Sequence, residues 1–158
     1  RIQPLAARAT SWPAAVPHDE GPPPEPPAAE PRRARSPGTR IIVVEDQPAV
    51  RAVVYMMLES LGYDVEEFAS PEAALERIGD GTGAELLVTD LVMPGMGGRE
   101  VARRARAILP ELPVLFMSGY AEPEQEPGTD GPAPTAFLAK PFHPNGLASL
   151  VAKLLPGR

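Results

Sequence analysis

The chain contains no cysteine and only two histidines, His18 and His143, among its 158 residues. Disulfides, thiolate nucleophiles and cysteine-ligated metals are therefore excluded, as is a multi-histidine metal site. No apolar run approaches the ~18 residues of a membrane span, and the N-terminus lacks a signal-peptide core. Lysine is scarce, with Lys140 and Lys153 the only two. Positive charge is also short where most of the chain lies. Residues 40–158 carry 10 basic and 17 acidic side chains, a net of −7, whereas residues 1–39 carry five arginines against four acids. So acidic a body is a poor nucleic-acid binder, because that affinity comes largely from neutralising phosphates.

Proline is abundant but uneven. Ten of the 22 prolines precede Gly38. The stretch has few large apolar side chains and no amphipathic period, so it cannot bury enough surface to offset chain entropy. Residues 1–38 are expected to be a disordered, partly polyproline-II linker, with docking as the alternative role. Arg32, Arg33 and Arg35 form a small basic cluster within it. Because the chain begins with Arg1 rather than Met, it is expected to be the C-terminal piece of something longer.

From Thr39 onward short β-rich runs alternate with helical patterns, the signature of βαβ units and a parallel sheet. Strands are expected at Arg40–Glu45, Asp64–Phe68, Glu85–Thr89, Pro113–Met117 and Ala136–Ala139. Glu66 and Glu67 suggest an edge position for the second. A first helix carries Pro48 in its first turn and an apolar stripe of Val50, Val53, Val54, Met57, Leu58 and Leu61, ending at Gly62. Ser70-Pro71-Glu72 opens a second, with Ala74, Leu75 and Ile78 inside. A third begins near Gly98, burying Val101, Ala105 and Ile108 while Arg103, Arg104 and Arg106 face water. The last opens at Pro144 and buries Leu147, Leu150, Val151 and Leu154. Between Ser118 and Ala136 four prolines and two glycines beyond Gly119 forbid a long helix, at roughly 3 kcal/mol per interior proline. At most one turn survives near Ala121–Gln125.

The ends of the continuous apolar runs carry the chemistry. Ile41–Val44 runs into Glu45-Asp46, Leu86–Thr89 into Asp90, Val114–Met117 into Ser118, and Ala136–Ala139 into Lys140. In an open parallel sheet those side chains gather beyond the carboxyl ends of the strands, where ligands of such sheets bind. Three carboxylates, a hydroxyl and a lysine suit a divalent cation and a phosphoryl group.

Four segments in the correct order then identify a resemblance: Val43-Val44-Glu45-Asp46, Thr89-Asp90-Leu91-Val92-Met93-Pro94-Gly95-Met96-Gly97-Gly98, Met117-Ser118-Gly119-Tyr120 and Lys140-Pro141-Phe142. From about Arg40 to Leu155 the chain resembles the receiver domain of two-component response regulators. Its wording is similar to receivers fused behind histidine kinases. The resemblance implies a flavodoxin-like, doubly wound five-stranded parallel sheet of order 2-1-3-4-5, spanning residues 39–158, with a degraded fourth helix. It implies that Asp90 is the phosphoacceptor and that Mg²⁺ is held by Asp46, Asp90 and the backbone carbonyl of Val92, with Glu45 acting through water. Lys140 would pair with the phosphoryl oxygens, its bond to Pro141 would be cis, and the Ser118 hydroxyl would swing toward the phosphoryl group. Phe137 falls at an aromatic position that rotates in response, yet an aromatic on that strand is equally core. Pro94, Gly95, Gly97 and Gly98 shape the loop, where glycine allows close backbone approach to phosphate.

The implied partner is the phosphodonor domain of a histidine kinase, or a histidine phosphotransfer protein. The setting would be a monomeric cytoplasmic fragment, as the receiver end of a hybrid sensor kinase or as a stand-alone regulator or phosphate sink. The chain itself would accept phosphate, and any kinase activity would lie upstream. Three departures bear on this. Gln47 stands where an acid is common. Val92 and Tyr120 flank the site where polar residues can position hydrolytic water, which implies slow self-dephosphorylation. The proline-broken segment undermines a dimerisation surface used by DNA-binding regulators. A haloacid-dehalogenase-like phosphatase needs an acid two residues beyond its aspartyl nucleophile, and Val92 occupies that place. A receiver fold that only binds would have lost Asp46, Asp90 or Lys140. His18 and His143 lack the helical, acid-partnered setting of a phosphodonor.

Overall fold

A computed structural model of the chain describes residues 38–81, 83–119 and 132–157. The expected linker up to Pro37, including His18, lies outside the described residues, as does the proline-broken stretch 120–131 with Tyr120.

Among the described residues the elements alternate as β1 (Arg40–Val44), α1 (Pro48–Ser60), β2 (Asp64–Phe68), α2 (Pro71–Gly79), β3 (Leu86–Asp90), α3 (Gly98–Ile108), β4 (Val114–Ser118), β5 (Thr135–Ala139) and α4 (Pro144–Leu154). All strand pairs are parallel, in the order β2-β1-β3-β4-β5. The acidic β2 takes the edge, where Glu66 meets Arg77 and Arg40 at 2.6 Å and 3.6 Å.

The period-2 alternation of each strand builds a core on either face. Ile41, Val43, Leu86, Val88, Leu115, Met117 and Leu138 point toward α1 and α4, against Val54, Leu58, Leu147 and Val151. Ile42, Val44, Leu87, Val114 and Phe116 point toward α2 and α3, against Ala74, Ile78, Val101 and Ala105. Double coverage explains why β1, β3 and β4 read as unbroken apolar runs. Removing Ile41, Ile42, Val43 and Val44 wholly from water contributes on the order of 10 kcal/mol before chain entropy.

Helix starts follow local chemistry. Pro48, Pro71 and Pro144 occupy first turns, where a missing N–H costs nothing, and Ser70 Oγ accepts the Ala73 amide at 3.3 Å. α1 stops where Gly62, at φ 91°, donates its amide to Glu59 O.

Two helical faces differ from expectation. In α1, Val54 and Leu58 are buried but Val53 and Leu61 are exposed, so the stripe is narrower than the apolar pattern implies. In α3 the phase is rotated: Ile108 is 46 % exposed, whereas Arg106 is only 8 % exposed. The buried row is Gly98, Val101, Ala102, Ala105 and Arg106. The Arg106 guanidinium reaches carbonyls beyond the C-terminal end of the helix. Arg106 donates to Leu112 O (3.1 Å), Ala133 O (3.1 Å), Pro134 O (3.2 Å) and Thr135 Oγ1 (2.9 Å). It thereby ties the end of α3 to the segment leading into β5. Desolvation pushes its pKa below the usual arginine value.

Candidate functional site

Backbone hydrogen bonds continue past the strand ends at the carboxyl edge, and this aligns the polar side chains. The Glu45 amide donates to Phe68 O (3.1 Å), Leu91 to Met117 O (2.9 Å) and Lys140 to Ser118 O (2.7 Å). Glu45, Asp90, Ser118 and Lys140 therefore leave their strands at one level. β1 lies between β2 and β3, so the crevice opens at the topological switch point.

Lys140 Nζ sits between two carboxylates, donating to Glu45 Oε2 and to Asp90 Oδ2 at 2.8 Å each. The second oxygen of each is also engaged: Glu45 Oε1 accepts the Gln47 amide at 3.0 Å, and Asp90 Oδ1 accepts the Val92 amide at 3.3 Å. Arg51 Nη1 donates to the Glu45 carbonyl at 2.8 Å and pins the β1–α1 turn. Glu45 is fully buried and Asp90 nearly so. Burial pushes the Glu45 carboxyl above its usual value, and the Asp90 charge adds to this. The Lys140 hydrogen bond, the Gln47 amide and the Lys140 charge oppose it only in part. Burial by itself would lower the Lys140 ammonium, but hydrogen bonds and charge from Asp90 and Glu45 outweigh it and raise its pKa.

Asp46 completes the cluster. Glu45, Asp46 and Asp90 each offer an oxygen within 4.8 Å of the others. Asp46 Oδ1 is buried without a hydrogen-bond partner, a costly condition for a carboxylate oxygen. An orphaned oxygen among crowded carboxylates fits a hard, oxygen-seeking divalent cation.

The loop after β3 is built to stay out of the way. Gly95 has φ 79°, a left-handed conformation that favours glycine. At Gly98 a Cβ would collide with the Asp90 carbonyl oxygen, so α3 starts this close to the acceptor strand only with glycine there. Val92 is 70 % exposed beside Asp90. Ser118, the buried last residue of β4, pairs in register with Ala139 next to Lys140. The Lys140–Pro141 peptide is cis, as the resemblance implied. Phe137 lies on the α3 face, stacked on Phe116 with ring centroids 5.2 Å apart. His143 is the N-cap residue of α4 and makes no side-chain cap bond.

Sequence reasoning named Glu45, Asp46, Asp90, Ser118 and Lys140, and the fold brings all five to this edge. It missed Arg51 and the Gln47 amide. Both act between a side chain and backbone a few residues apart, and such contacts leave no pattern in residue types.

The signature of the response regulator receiver domain matches residues 41–152, and the chain belongs to that family. It is 39 % identical over 116 residues to the response regulator receiver protein CpdR of Brucella abortus, spanning 73 % of this chain and 96 % of CpdR. It is 38 % identical to the sensor kinase CckA of the same organism over 73 % of this chain, but spans only 12 % of CckA. Among solved structures, the receiver domain from the hybrid histidine kinase CckA superposes with a TM-score of 0.62 at 38 % identity, covering 73 % of this chain and 98 % of that one. The response regulator TrrA of Thermotoga maritima, in complex with Mg(2+)-BeF, superposes with a TM-score of 0.65 at 28 % identity over 73 % and 98 % of the two chains. Among the described residues no helix is long and apolar enough to cross a membrane.

Proposed function

We propose that the domain is a phospho-accepting receiver in a two-component phosphorelay, in which Asp90 takes a phosphoryl group from the phosphohistidine of a kinase or phosphotransfer protein. The observation that carries this reading is the Lys140 ammonium 2.8 Å from both Glu45 and Asp90, beside an unpartnered Asp46 oxygen. Asp46, Asp90 and the Val92 carbonyl would hold Mg²⁺, with Glu45 contributing through water. TrrA, with its bound Mg(2+)-BeF, supports this. When bound, the cation neutralises charge on the phosphoryl oxygens. An Asp90 carboxylate oxygen attacks phosphorus, the phosphorus–nitrogen bond to imidazole breaks, and the imidazole nitrogen retains the electron pair. Lys140 exchanges a carboxylate oxygen for a phosphoryl oxygen, and the Ser118 hydroxyl donates a further hydrogen bond.

Incubation with acetyl phosphate and Mg²⁺, followed by mass spectrometry, tests this. A gain of about 80 Da, the mass of one phosphoryl group, is expected for the wild type and not for Asp90→Asn. An unmodified wild type, or a modified Asp90→Asn, would overturn the assignment.

The similarity to the CckA receiver and the proline-rich residues 1–38 support placement at the receiver end of a hybrid sensor kinase. There the domain would act in the cytoplasm as a monomer, and the net negative charge of residues 40–158 argues against nucleic-acid contact. The near-complete match to CpdR favours a second reading, a stand-alone receiver or phosphate sink. The coding sequence upstream of Arg1 decides between them. A dimerisation helix with a phosphodonor histidine and an ATP-binding domain supports the first, and an immediate start codon supports the second.

A further inference from the structure

Arg99 lies outside the acceptor chemistry but over two aromatic rings. Phe116 and Phe137 are direct register partners on β4 and β5, and their rings stack at an interplanar angle of 30°. The Arg99 guanidinium carbon stands 5.9 Å from the centroid of each ring. Phe116 is fully buried, whereas Phe137 sits on the edge strand and is only partly covered.

The backbone that carries Arg99 cannot drift. It follows Gly98, whose amide donates to Leu91 O at 3.1 Å and whose Cα faces the Asp90 carbonyl without room for a Cβ. A cation in the first turn of a helix gains nothing from the helix dipole, which favours anions there. The neighbouring first-turn acid, Glu100, pairs with Arg103 and Arg104 at 2.6 Å and 2.7 Å. There the Arg99 guanidinium lies over both ring faces, within the reach of a cation–π contact.

We propose that Arg99 is a positioning residue that clamps Phe137 against Phe116, so that this ring is a fixed part of the core in both phosphorylation states. A ring on a ring and a cation over both rings favour the inward placement by on the order of a hundredfold together. Phe137 has no hydroxyl through which a hydrogen bond could draw it elsewhere. The inference about the phosphorylated state rests on the acceptor reading above. The inference about the unmodified state does not.

Fluorine NMR on the chain labelled with 4-fluorophenylalanine provides the test, with its four phenylalanines and the Phe137 signal assigned through Phe137→Leu. In the unmodified protein, Arg99→Ala is expected to move the Phe137 resonance toward its unfolded position by about a tenth of the full difference or more, as loss of a roughly tenfold preference implies. Arg99→Lys should restore part of that shift, and Phe68 and Phe142 should stay in place as controls for folding. Acetyl phosphate with Mg²⁺ should leave the wild-type Phe137 resonance where it was, while mass spectrometry reports the modification. A Phe137 signal unmoved by Arg99→Ala overturns the clamp. So does a wild-type signal that shifts on phosphorylation as far as the alanine variant's. If no phosphoryl group is gained, the acceptor reading fails, and the comparison in unmodified protein still decides the clamp.

Discussion

Glu45 and Lys140 are 95 residues apart in the chain, yet Lys140 Nζ donates to Glu45 Oε2 at 2.8 Å, at a position where the carboxylate is fully buried. The contact joins the first strand to the last without any intermediary. It also shows why the site is under tension: a buried carboxylate with a raised pKa shares its one ammonium with Asp90.

Replacing that ammonium should expose the tension. Lys140→Met leaves Glu45 and Asp90 without the ammonium that bridges them, and breaking a buried pair in this way costs about 3 kcal/mol. Urea denaturation at neutral pH in metal-free buffer is expected to show the loss, and millimolar Mg²⁺ to recover part of it. An unchanged midpoint would show that the pair carries no net stability.

The pH dependence follows from the direction of the Glu45 shift. Its pKa is raised above 4.5 in the folded chain, so the native state binds the extra proton more tightly than the unfolded state. Stability from this group is present at and below 4.5 and is lost as pH rises through the higher folded value. Glu45→Gln cannot ionise. Its stability relative to wild type, measured without metal, should therefore increase as pH climbs through that window. Parallel profiles would contradict the assignment.

Arg106 holds the entry to β5, and Lys140 lies only five residues beyond Thr135. Arg106→Ala should lower stability by about 2–4 kcal/mol, because it strips the donors from several buried carbonyls at once. Arg106→Lys should not rescue it, since a point charge cannot span acceptors that a planar fork reaches together. Thermal melts of the two variants check this, and full rescue by lysine would count against the fork geometry.

Val92 stands exposed beside Asp90, where a polar side chain could hold a hydrolytic water. The aspartyl phosphate is expected to persist well beyond seconds at saturating Mg²⁺. Val92→Asn should shorten its life by about tenfold, a small part of what positioned proton-transfer groups contribute. Decay of the mass-shifted species after removal of acetyl phosphate measures both. A wild-type lifetime of seconds would refute the expectation.

Most of the architecture was legible before any coordinates. Period-2 alternation was hidden inside runs such as Ile41–Val44, but runs covered on both faces, separated by helical stripes, admit little other than a parallel doubly wound sheet. The site was legible for the same reason: each run ends in a residue with chemistry, and parallel strands put like ends together. Arg106 and Ile108 were misjudged because helical periodicity gives a face only to within one position. Charge then argued for water at 106, and no local feature announced the carbonyls of Ala133 and Pro134.

The order of apolar runs and the residues that close them determined the fold class, the acceptor aspartate and its lysine, because strand polarity alone carries those side chains to one edge. Only the tertiary structure decided which carboxylate oxygen is left without a partner, that burial raises the pKa of Glu45, and that a guanidinium lies across Phe116 and Phe137. Those outcomes depend on distances between segments far apart in the chain, and residue types in sequence do not encode distance.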